Sequence, residues 1–166
     1  MSDINQLIDK QSIYEVLCKY CRSLDRMDKE MAYAVWHEDG TALYYDIYEG
    51  SGRGFVDWVW ESHAEMERHS HQIANNVIIV DGDTANSETY VTVALWTNPD
   101  EHGKQQEIIG KGRYLDQWAK RDGKWAITHR EHVLDMQTLH ELNKGYVNQV
   151  SARGTTDPSF KLIPKA

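Results

Sequence analysis

Positive charge is in short supply: 18 Lys and Arg stand against 26 Asp and Glu, for a net charge of -8. A chain of that sign has no basic patch to offer a phosphate backbone, which argues against nucleic acid as a partner. Long apolar runs are missing too. No segment approaches the roughly 18 consecutive apolar residues of a membrane span, so no membrane partner is expected. The opening MSDINQLIDKQS is polar and lacks the apolar centre of a secretion signal, which makes the cytoplasm the expected location. Cysteine is scarce, with only Cys18 and Cys21 present. Their C-x-x-C spacing falls inside a helical pattern with no second ligand pair, so two small helix residues are the better reading than a zinc or redox motif. Phenylalanine is nearly absent, with two residues against six Trp and nine Tyr, so most of the aromatic surface carries a hydrogen-bonding handle. That suits a pocket for a cyclic ligand, and it suits a subunit interface equally.

What is present has the texture of one domain of 166 residues, 40% hydrophobic and 27% charged, large enough to fold without disulfides or metal. Ile4, Leu7, Ile8, Ile13, Val16, Leu17, Tyr20 and Leu24 recur at three- and four-residue steps and predict a long first helix. Asp28 reads as the N-cap of a short helix through Trp36, with Met31, Ala34 and Val35 inward. TALYYD, residues 41–46, reads as a strand, GSGRG (50–54) as a loop, and 55–69 as a helix. Two hairpins follow. Residues 71–80 and 85–97 join at Asp81-Gly82-Asp83, and 107–120 and 125–136 join at Arg121-Asp122-Gly123. From Gln137 a short helix and a tail are expected. Helices first and hairpins after is an α+β order, and a curved sheet around the helices would leave a cone-shaped pocket.

Four polar residues stand out against these periods. Tyr20 follows Ile13 and Leu17 on the inward stripe of the first helix. Asp25 falls in that helix's last turn, where the dipole disfavours a carboxylate and something must compensate it; a solvated loop Asp is the plain alternative. His71 shares a two-residue period with Ile73, Asn75 and Val77, facing inward, and His69 joins that face only if the strand begins earlier. A satisfied core histidine is the alternative there. Arg130 sits in the last strand, where an ion pair with Asp116 or Glu131 is the ordinary role. The pairs His69/His71 and His129/His132 match no strong metal-ligand spacing, so no metal is expected.

With LCKYCRSLDRMD, HQIANNVIIVDGDTA and GRYLDQWAKRDGKWAITHR in place, the chain resembles the SnoaL-like family of the nuclear transport factor two-like (cone) superfamily. The likeness runs to about Gln137 and is nearest to the hexachlorocyclohexane dehydrochlorinase, bile-acid dehydratase and scytalone dehydratase branch. The resemblance implies a cone-shaped α+β barrel, with N-terminal helices packed in a strongly curved, mostly antiparallel sheet. It sets residues 1–137 as the cone domain and 138–166 as an extension near the pocket or a subunit interface. It also implies a His-Asp dyad of His71 and Asp25, with Tyr20 and Arg130 as further catalytic residues. Asn75, Trp36 and Tyr114 are expected to bind substrate. Scytalone dehydratase's second pocket histidine has no clear counterpart, which argues against a fungal melanin substrate.

A carboxylate bonded to one imidazole nitrogen fixes the tautomer and leaves the other nitrogen as a general base. The expected function is therefore a lyase of the dehydratase type, with no cofactor. Its substrate would be a small hydrophobic cyclic or aromatic hydroxylated molecule, in aromatic compound catabolism. Retro-aldol cleavage or isomerisation would use the same base. A non-catalytic ligand-binding protein or the small subunit of an aromatic-ring dioxygenase are the readings from other classes. Large residues such as Trp96 and Trp118 are expected on the outer sheet face as an interface. Relatives of this branch are often trimers, so a homotrimer comes first and a dimer second.

Overall fold

Helix α1 (Ser2–Asp25) is the longest helix of the computed structural model, which describes residues 2–163. Ile13, Leu17, Tyr20 and Leu24, at helical spacing, are all buried. The first two turns behave differently. Ile4, Leu7 and Ile8 were expected on the same inward stripe, but they are 64%, 67% and 56% exposed. The helix ends in a Schellman-type turn: Asp28 N–H bonds to Ser23 C=O at 2.8 Å and Met27 takes a positive φ of 51°. Helix α2 (Lys29–Ala34) starts at its Asp28 N-cap, as expected, and buries Met31 and Ala32; Ala34 is exposed.

Strands β1 (Trp36–Tyr44) and β2 (Tyr48–Ser51) form a small hairpin, so Trp36 begins a strand and does not end a helix. Ser51 then caps helix α3 (Gly52–Ala64), and the segment 50–54 is a strand end and a helix start, not a loop. Gly52 is required here: a Cβ would lie 2.2 Å from the Trp36 ring, so the helix backbone rests directly on that indole. Four long strands complete the sheet, β3 (Met66–Asp81), β4 (Thr84–Thr97), β5 (Gln106–Arg121) and β6 (Lys124–Glu141).

The sheet order is β2-β1-β6-β5-β4-β3, antiparallel throughout except that β1 runs parallel to β6. It is curved and unclosed, with the three helices in its concave face, the α+β cone expected from the sequence. Both predicted hairpins are present. At the second, Asp122 and Gly123 both have positive φ, as a type I′ turn requires. Strand β3 begins five residues before His71, because α3 stops at Ala64 and not at His69. It carries a bulge at Asn75, whose φ is 46°. Before the bulge the less exposed set is His69, His71 and Ile73; after it the set is Asn76, Ile78 and Val80. Strand β6 continues beyond the expected end at Met136, and a 3-10 turn (Pro158–Lys161) is the last element, where an α-helix was expected after Gln137. Residues 164–166 of the expected extension lie outside the described residues.

Two expectations about packing change. Trp118 is 2% exposed and donates to Ser87 Oγ at 2.9 Å, so it belongs to the core and not to an outer face. Trp96 is partly buried and donates to Glu107. Among the described residues no helix is long and apolar enough to cross a membrane.

Candidate active site

The end of α1 meets the start of β3, and the contact is polar. Asp25, the last residue of α1, accepts hydrogen bonds from the His71 backbone N–H at 3.1 and 3.0 Å and from His71 Nδ1 at 2.7 Å. These donors supply the compensation that a carboxylate at a helix C-terminus needs. The neighbouring Leu24 carbonyl accepts from His69 Nε2 at 2.6 Å, so two alternate residues of one strand hold two consecutive residues of the helix. His69 faces inward because the strand starts early enough to include it.

Beyond the pair lies an apolar cavity of about 180 Å³, lined among others by Tyr20, Tyr44, His63, His71, Tyr114 and His132. Among the described residues no Lys, Arg, Asp or Glu is on its wall. The Tyr20 and Tyr44 hydroxyls are 3.0 Å apart, and burial pushes both phenols above their ordinary pKa. They are therefore protonated donors at neutral pH. Tyr114 meets Tyr20 edge-on, with ring centroids 5.7 Å apart.

Arg130 takes its ordinary role. It is fully buried, with Nε and Nη2 at 2.6 and 2.8 Å from the Asp116 carboxylate, and its guanidinium lies over the Tyr114 and Tyr20 rings at 3.9 and 4.4 Å. It supports the tyrosines from behind and is not on the cavity wall. Trp36 is also off this wall. It lines a separate groove of about 920 Å³ on another part of the molecule, which includes none of Tyr20, His71 or Tyr114. Asn75 is exposed on its bulge and cannot orient a substrate in the cavity. Of the seven site residues expected from sequence, the structure brings together Tyr20, Asp25, His71 and Tyr114. It sets Trp36, Asn75 and Arg130 apart.

Three titratable cavity residues were not anticipated. Tyr44 shares the inward parity of Ala42 on β1. His63 continues the inward stripe of Val56 and Val59 on α3. His132 lies two residues after Arg130 on the same face of β6. Each position could have been read from periodicity once the strand and helix limits were known. Burial, with the neighbouring His69, His71 and Arg153, presses His63 down to about 2. Burial followed by Arg130 presses His132 down to about 4. Both are neutral imidazoles near pH 7. His129 bonds to Thr41 on the other face of β6, so the pair His129/His132 does not converge. Among the described residues no three His, Cys, Asp or Glu side chains form a group that could hold a metal ion.

The tail after β6 docks at this end of the cone. Arg153 donates to the His63 carbonyl at 2.8 Å, Ser151 accepts from Arg68, and Arg22 donates to Ser159 and Ile163.

The SnoaL-like domain family matches residues 5–131. Among solved structures, a protein of unknown function from Mycobacterium tuberculosis is 27% identical, with a TM-score of 0.69 over 81% of this chain and 76% of that one. A protein provisionally named scytalone dehydratase from Novosphingobium aromaticivorans is 25% identical, with a TM-score of 0.73 over 86% and 94%. A hexachlorocyclohexane dehydrochlorinase from Novosphingobium barchaimii is 18% identical, with a TM-score of 0.69 over 88% and 99%, and shares the fold. No curated protein matches the sequence.

Proposed function

The chain belongs to the SnoaL-like domain family, and on that footing we propose that it is a cofactor-independent lyase of the dehydratase type. The observation that carries this reading is the 2.7 Å contact of His71 Nδ1 with Asp25, beside a cavity that no charged side chain among the described residues lines. With Nδ1–H donated to Asp25, the lone pair of His71 is on Nε2, the nitrogen left for the cavity. A neutral imidazole there takes a proton from carbon, and Asp25 stabilises the imidazolium that forms.

The freed electron pair becomes a carbon–carbon double bond as the neighbouring C–O bond breaks. The departing hydroxyl takes a proton from the Tyr20–Tyr44 pair and leaves as water. Transfer of the His71 proton back to the phenolate restores the starting state, so no metal or organic cofactor enters the balance. The proposed substrate is a small cyclic molecule without charge: a cavity of about 180 Å³ is below the roughly 300–1,000 Å³ common for drug-sized ligands, and no charged side chain among the described residues lines it. The protein works as a homo-oligomer, with a trimer first.

The test is a panel of uncharged hydroxylated cyclic ketones, with loss of water followed by mass spectrometry. Turnover by the natural protein and none by His71→Ala is the expected result. Turnover that survives His71→Ala would overturn the reading.

A further inference from the structure

The residue that follows Arg130 on the inner face of β6 has no role in holding the fold's polar network. His132 is paired with Tyr114 across the β5–β6 ladder and lines the cavity that His71 also lines, with β5 and β4 between their two strands. Its ring is held on two sides, stacked on Tyr44 at 5.0 Å between centroids and 26° between planes, and tilted on Tyr114 at 5.5 Å. A third side rests on a glycine. A Cβ at Gly112 would stand 3.0 Å from His132 Nε2 and 2.3 Å from the Val133 carbonyl, so this position of β5 must be bare for the imidazole to sit where it does. Among the described residues neither ring nitrogen has a hydrogen-bond partner. A partly buried imidazole that is fixed in orientation yet unused by the protein is a group reserved for a ligand atom.

We propose that His132 binds a substrate oxygen, donating its ring N–H to a carbonyl that becomes an enolate when His71 removes the adjacent proton. This rests on the lyase reading and deepens it by naming the substrate class, a cyclic β-hydroxy ketone. The C–H electron pair forms a carbon–carbon double bond and displaces the carbonyl π pair onto the oxygen held by His132. When the carbonyl re-forms, the hydroxyl on the β carbon is expelled, takes a proton from the Tyr20–Tyr44 pair and leaves as water. The product is an enone, and no co-reactant is needed. A neutral imidazole suits this role, because its N–H is a weak enough acid to donate a hydrogen bond without losing the proton. Burial and the nearby Arg130 guanidinium keep His132 neutral at pH 7. Arg130, expected from the resemblance as a further catalytic residue, acts one layer further back, and His132 makes the contact.

4-Nitrophenol tests this without any turnover, because its phenol oxygen mimics the enolate and its absorbance reports binding. Saturable binding to the natural protein is expected. His132→Phe, which keeps the aromatic contacts and removes the N–H, should weaken it by about tenfold, the worth of one buried hydrogen bond. His132→Gln, which restores an N–H donor, should bind within about threefold of the natural protein. In the unsubstituted protein, the His132 ring signals in ¹H–¹⁵N spectra at pH 7 should move on saturation, a readout that does not depend on any variant folding. Equal affinity for His132→Phe, no saturable binding to the natural protein, or unmoved His132 signals would each overturn the proposal. Binding involves no proton abstraction, so these results stand apart from the His71→Ala turnover test of the lyase reading itself.

Discussion

One carboxylate of Asp25 accepts both the backbone N–H and the imidazole Nδ1 of His71, at 3.0 and 2.7 Å, so strand position and ring orientation are fixed by a single side chain. Removing the carboxylate's charge should therefore show in two measurements. Asp25→Asn is expected to lower kcat by roughly 10²–10⁴-fold through the wrong imidazole tautomer. It should also cost on the order of 1–3 kcal/mol in denaturant unfolding. A variant with lowered activity and unchanged stability would show that the backbone contact contributes little.

The phenols act as a pair. Tyr20→Phe and Tyr44→Phe should each reduce turnover by roughly 10²–10⁴-fold if the pair supplies the proton. The double variant should lose little more than the worse single one, because hydrogen-bonded partners are not additive. Full activity in Tyr20→Phe would reduce that residue to a wall of the cavity.

Arg130 and Asp116 make a separate test of stability. Arg130→Met leaves a buried carboxylate unpaired and should cost about 3–5 kcal/mol, whereas adding Asp116→Leu should recover most of it. Urea unfolding of the two variants measures this. Equal loss in both would mean that the arginine's packing on Tyr20 and Tyr114 matters more than the ion pair.

Acid should weaken the fold before most carboxylates titrate. His132 and His63 have folded pKa values pressed down to about 4 and about 2, below the ordinary histidine value of 6.5. The unfolded chain therefore binds more protons than the native one as pH falls. Stability present above about pH 6.5 should decline from there towards pH 4 and below. Urea midpoints between pH 7 and 4 should fall, and His132→Phe should flatten the upper part of that slope. A constant midpoint across this range would contradict the burial of both rings.

Assembly has a specific surface to test. Ile4, Leu7 and Ile8 form an exposed apolar face on the first turns of α1, and Leu134, Met136 and Leu139 are exposed on the far part of β6. Light scattering should give about three times the 19.2 kDa chain, and Leu7→Glu with Ile8→Glu should reduce it. A natural protein that runs as a single 19.2 kDa species would refute the trimer and the dimer alike.

Much of this was legible in the sequence, because the hydrophobic period of α1 from Ile13 onward coincides with burial and the two hairpin turns carry Gly82 and Gly123. The Asp25–His71 contact came from the resemblance, since pattern alone allows a solvated Asp and a core His. Asn75 was misread because a bulge breaks the two-residue period, and no propensity marks where a strand slips. Trp36 was misread because nothing local announces that Gly52 would bring a helix backbone onto its ring. Arg130 shows a third cause: parity gives the face of a residue but not its depth along the strand, and depth separates an ion pair in the core from a contact with substrate.

The bulge at Asn75 also divides β3 into two stretches that keep different time. Odd-numbered residues face inward on the Asp25 side and even-numbered ones on the hairpin side, so the extra residue works as a phase shifter between them. Deleting Asn75 would leave His69 and His71 pointing as they do, because each stretch keeps its own alternation across the join. Forcing the strand to alternate regularly with all residues retained would turn one stretch inside out. For an engineer or for natural variation, the two ends of this strand are thus separable modules: the hairpin end can be resequenced for packing while the end that meets Asp25 is left alone.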